Sequence, residues 1–128
     1  MHKKELESLI DHLTGPGWKE KSQMKTRIRR LIKVIGSVLE EDVNKACHSR
    51  LSARLPESRV SWTIEVFRER REIKFLIRYW ADGKVVYEYD RDQEKPPKLP
   101  WAHLRAMEAS LPDLMEAACE RFPNTTWG

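Results

Sequence analysis

The chain reads as an α+β protein: a three-stranded antiparallel β-meander covered by N-terminal and C-terminal helices, in the order ααα-βββ-αα. Two observations carry this reading. Apolar residues recur at helical spacing up to residue 55, switch to strict alternation at Val60, and return to helical spacing after residue 100. A meander with one apolar face must bury that face, and flanking helices are the elements on hand to do it. At 128 residues, 40% of them apolar, the chain is expected to form one domain spanning 1–128 with a core of its own.

The first helix is expected over residues 4–14, where Leu6, Leu9, Ile10 and Leu13 share a face. Gly15-Pro16-Gly17 ends it. This turn is no phosphate loop, because it lacks both the Gly-Lys-Ser/Thr ending and a preceding strand. A second helix is expected over 20–35, with Met24, Ile28, Leu31, Ile32, Val34 and Ile35 on one arc. Gly36 then reads as an interruption. Ser37-Val38-Leu39-Glu40 fits a capping box, and Glu40, Glu41 and Asp42 suit the positive end of a new helix. That third helix carries the stripe Leu39, Val43, Cys47, Leu51 and Leu55 up to Pro56; one long helix over 20–55, bent at Gly36, is the other reading of the same residues.

From Val60 the period is two. Val60, Trp62, Ile64 and Val66 form the inward face of one strand, Ile73, Phe75, Ile77 and Tyr79 of the next, and Val85, Tyr87 and Tyr89 of the third. The first connection is expected to be a four-residue loop, Arg68-Glu69-Arg70-Arg71, since it has no glycine. For the second, a three-residue loop Ala81-Asp82-Gly83 with Gly83 in a left-handed bulge position pairs Tyr79 with Val85, Ile77 with Tyr87 and Phe75 with Tyr89. Residues 91–100 read as a linker. Two helices follow, about 100–110 and 110–121, with Ser110 able to cap the second and Leu111, Leu114, Met115, Ala118 and Phe122 inward. The inner helix-βββ-helix order is similar in topology to a double-stranded-RNA-binding domain. The likeness is one of topology alone: that family carries basic residues where the helix after the third strand begins, and here that helix begins Pro100-Trp101-Ala102-His103-Leu104.

Charge is the strongest functional signal. Lys19, Lys21, Lys25, Arg27, Arg29, Arg30 and Lys33 crowd one short stretch against the single acid Glu20. Residues 1–37 carry a net +5, and the remainder a net −1, so the whole formal excess of +4 lies in the N-terminal third. Lys25, Arg29 and Lys33 follow at i, i+4, i+8, which weakens an isolated helix by a few tenths of a kcal/mol per pair. A basic helical face that costs stability points to phosphates or to an acidic protein surface. The candidate binding residues are therefore Lys19, Lys21, Lys25, Arg29, Arg30 and Lys33, with Arg68, Arg70 and Arg71 as a secondary basic turn. On the outward face of the meander, Phe67, Leu76, Arg78, Trp80 and Val86 form a candidate interface beside Lys74; three readings of this face stand, a surface covered by a further helix, a protein-binding or dimer surface, and a stacking platform for unpaired bases. Trp62 faces the core, and Trp18 and Trp101 are expected to seal core edges.

The remaining classes find no pattern. His2, His12, His48 and His103 are scattered, no Cys-x-x-Cys occurs, and neighbouring Cys47 and His48 would point apart on a helix, so no metal and no cofactor is implied. No nucleophile elbow or other catalytic signature is present, and a non-enzymatic protein is expected. Cys47 and Cys119 are expected as free buried thiols, which together with the lack of a signal peptide or membrane span suggests the cytoplasm. The sequence thus suggests a small binding protein that engages nucleic acid or a nucleoprotein through its basic N-terminal helix. The alternative is a protein-directed adaptor or inhibitor, of the accessory type found in phages and mobile elements, that meets an acidic protein surface. The strand from Val60 to Phe67, with Glu65 its one charge and no proline, reads as an edge that either a helix covers or that points to a homodimer, joined through this edge or through the outer face bearing Trp80.

Overall fold

The structure is a computed structural model and describes residues 3–15, 21–43, 47–55, 57, 59–90, 93 and 95–127, without the Lys21 side chain. Its described elements run α1 (Lys3–Thr14), α2 (Lys21–Val43), β1 (His48–Leu55), β2 (Val60–Glu69), β3 (Glu72–Ala81), β4 (Lys84–Asp90), a short 3-10 turn (Trp101–His103), α3 (Leu104–Ala109) and α4 (Leu111–Arg121). The order is αα-ββββ-αα, and the sheet is a four-stranded antiparallel meander, β1-β2-β3-β4. The α+β class agrees with the sequence reading, while the third helix and the three-strand count do not.

The correction lies between residues 36 and 55. Helix α2 does not stop at Gly36 but continues two turns to Val43. Gly36 is buried against Phe75, and a β-carbon there would overlap Cζ and Cε2 of that ring. The glycine is therefore a point of close approach between α2 and the sheet rather than a break. The expected third helix is instead the end of α2 followed by β1. Its supposed stripe was ambiguous, because residues four apart share a face on a helix and on a strand alike. In β1 the residues between them decide: Ser49, Leu51 and Ala53 are buried, while His48, Arg50, Ser52 and Arg54 are exposed. Glu40, Glu41 and Asp42 consequently occupy the last turn of α2, the unfavourable end of its dipole. Asp42 is compensated there by Ser49 Oγ, which donates to its Oδ2 at 2.7 Å, and by Arg121 Nη2 at 3.1 Å. Cys47 is exposed and Cys119 half-buried, so the expectation of two buried thiols fails, although both are free.

Strand β1 pairs with β2 along its whole length, from His48 opposite Phe67 to Leu55 opposite Val60. The Val60–Phe67 edge is thus covered, and the premise for a dimer through it falls. The helix-βββ-helix likeness falls with it.

Both hairpin turns are tighter than expected. Glu69 pairs with Glu72 across a two-residue turn in which Arg70 takes φ +59°. Ala81 pairs with Lys84 across Asp82-Gly83, and both turn residues have positive φ, +51° and +76°, the signature of a primed hairpin turn. The register is Tyr79 with Tyr87, Ile77 with Tyr89, and Trp80 with Val85, with an irregularity between Tyr79 and Trp80. The bulge invoked to keep the faces consistent exists, but in strand β4 rather than in the loop. It leaves Val85 exposed and Val86 packed against the core.

Helices α2 and α4 lie on one face of the sheet, and α1 and α3 pack on them. Trp62, Ile64, Val66, Ile77 and Tyr79 are fully buried beneath Ile28, Leu31, Ile35, Leu39, Leu114 and Met115. Trp62 stacks obliquely on Tyr79 at 4.9 Å, and its indole N–H donates to Ser110 Oγ at 2.7 Å. Ser110 in turn donates to the Met107 carbonyl and makes no side-chain cap on α4. The serine expected as a cap is instead a buried polar link between sheet and helices.

A β-carbon added at Gly83 would meet nothing within 4 Å beyond the adjoining residues, so a side chain there would be opposed by backbone conformation alone. Gly83→Val is expected to lower stability by about 1–2 kcal/mol, since a β-branched residue resists positive φ. Chemical denaturation of the two proteins measures this, with an unchanged midpoint contradicting the turn assignment.

Candidate functional site

The five clustered cations whose side chains are described, Lys25, Arg27, Arg29, Arg30 and Lys33, divide by role once placed on α2. Arg27 is buried, with a side chain 6% exposed, and its Nη1 donates to Asp11 Oδ1 at 2.7 Å while Nε stands 3.5 Å from Glu108 Oε1. The first contact is a charge-assisted hydrogen bond and the second a charge contact only. One guanidinium thereby ties α1, α2 and α3 together. Arg30 donates from Nη1 to the Thr14 carbonyl at 3.0 Å, placing a cation at the negative end of α1. Lys25 lays its ammonium over the Trp101 ring, 4.4 Å from the centroid. Arg29 and Lys33 are exposed and, among the described residues, form no ion pair. Lys19 and the Lys21 side chain lie outside the described residues.

Lys25, Arg29 and Lys33 therefore run along one side of α2, spaced about 6 Å apart by the helical rise. Beside Arg29 and Lys33 opens a groove of about 440 Å³ between α2 and strands β3 and β4. Phe75, Ile77, Tyr87 and Tyr89 form its floor, and Ser37, Glu40 and Pro96 complete its rim. Burial pushes the Tyr87 phenol up, Arg29 draws it partly back, and Tyr89 adds to the rise. Trp101, 58% exposed, does not line the groove, nor does Lys25. Trp101 does not seal a core edge as expected; its exposed ring lies under Lys25 and borders the basic ridge. The pairing of Lys25 with Trp101 could not be seen in sequence, since the residues are 76 positions apart.

The other candidates are placed elsewhere. Arg68, Arg70 and Arg71 sit at the β2–β3 tip, and none lines the groove. Phe67, Leu76, Arg78 and Trp80 are half-buried on the outer face of the sheet, away from the helices, whereas Val86 joins the core. Arg78 Nε donates to Glu88 Oε2 at 2.6 Å, and Arg50 and Glu65 pair at 3.3 Å on the same face. Arg50 and Arg54 also lie exposed on this face, which the sequence did not show because β1 read as helix.

Among the described residues no group of three or more His, Cys, Asp and Glu side chains could hold a metal ion. Burial pushes the Cys119 thiol up, with Glu116 and Glu120 adding to the rise, the reverse of what a nucleophilic thiolate needs. No described helix is long and apolar enough to cross a membrane. No family model, curated protein or solved structure matches the chain, so similarity contributes nothing to the reading of this site.

The division of the cations is measurable. Arg27→Lys keeps the charge but reaches one carboxylate at most, and it is expected to destabilise by about 1–3 kcal/mol. Arg29→Gln is expected to stay within about 0.5 kcal/mol. Urea denaturation compares them, and equal losses would contradict the assignment.

Proposed function

We propose that the protein is a non-enzymatic nucleic-acid-binding protein whose contact surface is the ridge Lys25–Arg29–Lys33 with the adjoining groove and Trp101. The observation that carries this reading is the contrast in how the chain handles its cations. Arg27, Arg50, Arg78 and Arg121 each have a carboxylate within 4.0 Å, while the three ridge residues, like Arg54 on the sheet, have none among the described residues; the ridge differs from Arg54 in setting three such cations in one row. Unneutralised cations in a row, beside an exposed indole, suit a phosphate backbone with accessible bases. Such contacts position a nucleic acid without reading its sequence. Arg27 and Arg30, engaged within the fold, are left out of the surface.

The apolar floor of the groove favours one other reading. Phe75, Ile77, Tyr87 and Tyr89 could receive apolar side chains of a protein whose carboxylates meet Arg29 and Lys33, which is the adaptor or inhibitor model.

Fluorescence anisotropy with labelled oligonucleotides over a salt series separates the two. Binding is expected to weaken with salt, and Lys25→Gln/Arg29→Gln/Lys33→Gln to flatten the log–log slope by about 0.7 per lost contact on a single strand and about 0.9 on a duplex. No binding at low salt would overturn the nucleic-acid reading. Capture of an acidic protein that survives nuclease treatment and is lost in the triple variant would establish the alternative.

A further inference from the structure

The outer face of the sheet carries a second basic and aromatic site at the end bearing the Asp82-Gly83 turn. Strand register sets Arg54 opposite Ser61 and Ser61 opposite Trp80, forming one row across three strands. The Trp80 indole N–H donates to Thr63 Oγ1 at 3.3 Å, which holds the ring across β2. The Asp82 N–H donates to the Arg59 carbonyl at 3.0 Å, joining the two turns at this end and fixing Arg59 at the rim. Together Arg50, Arg54, Arg59, Ser61, Thr63 and Trp80 line an open depression of about 640 Å³.

The charges around this depression are predominantly positive. Arg50 is held by Glu65 at 3.3 Å. Arg59 reaches Asp82 only at 4.0 Å, with side chains 80% and 74% exposed, a contact that water and salt screen. Arg54 is exposed and has no ion pair among the described residues. Guanidinium groups beside a fixed indole combine two kinds of recognition. The planar fork takes a phosphate in bidentate fashion, and the ring offers a stacking surface to a base. The depression is shallow and open, which suits a flat ring laid on the sheet. Bases in a duplex are already stacked on their neighbours, so the base must be unpaired.

We propose that this face binds a nucleotide unit of single-stranded nucleic acid, the base on Trp80 and a flanking phosphate at Arg54 and Arg59. The site is on the opposite side of the sheet from α2 and does not depend on the reading of the ridge.

The test is titration of the ¹⁵N-labelled protein with short oligothymidylate, followed through the indole N–H resonances, with the matching duplex as comparison. The Trp80 resonance is expected to shift with the single strand and to stay in place with the duplex. Trp80→Leu and Arg54→Gln are each expected to weaken single-strand affinity about tenfold. Arg54 is exposed, so its variant reports binding even if Trp80→Leu perturbs the fold. A Trp80 resonance unmoved at saturating strand, an equal shift with the duplex, or wild-type affinity in both variants would overturn the proposal. A shift confined to Trp101 would overturn it while leaving the α2 ridge standing. A shift at Trp80 alone would uphold it and remove the ridge.

Discussion

The contact between Gly36 and the Phe75 ring sets the geometry of the whole helical layer. A helix with a side chain at position 36 would have to stand off the sheet or displace Phe75. Because glycine is there, α2 comes close to the strands at this point, and Leu31, Ile35 and Leu39 are buried in one core with Ile64 and its neighbours. The intimacy of that contact has a local cost, since glycine in a helix interior is worse than alanine by about 1 kcal/mol. Closer packing of a whole apolar face outweighs it. The same contact defines the candidate site, for Gly36 and Phe75 line one end of the groove that Arg29 and Lys33 overhang.

Around that seam, polar side chains fix the order of the layers. Arg27 joins α1, α2 and α3; Ser110 receives the Trp62 indole; Asp42 gathers Ser49 of β1 and Arg121 of α4. Buried polar groups are tolerated when they are partnered, and each of these links two or three elements that an apolar core alone would leave free to slide. The consequence for function is a sorting of the basic cluster. A cation that serves the fold is turned inward or capped on a carbonyl, and the ones left in solvent are the ones available to a partner.

The α+β class, both later helices and the facing of Trp62 and Trp80 were legible because they rest on sustained periodicity. The first strand was not. Its inward residues include Ser49 and Ala53, too polar or too small to announce an alternation, while Leu51 and Leu55 fit a helical spacing equally well. Gly36 misled for a related reason: a glycine inside a helical pattern signals either a break or a close approach, and only the ring opposite distinguishes them. The second hairpin was solved halfway, since facial consistency demanded a bulge but could not locate it in β4. For the site, the basic face of α2 was visible from spacing alone. Which of its cations the fold consumes was not, because Asp11, Thr14, Trp101 and Glu108 meet that face only through tertiary packing.

The most direct test of this account is a double-mutant cycle between positions 36 and 75, read by chemical denaturation. If the close approach governs the helical layer, Gly36→Ala destabilises the wild-type chain by about 1–2 kcal/mol, because overpacking exceeds the gain in helix propensity. In a Phe75→Leu background the same substitution becomes neutral or stabilising, giving a coupling of more than about 1 kcal/mol. A Gly36→Ala protein more stable than wild type, with no coupling to position 75, would contradict it.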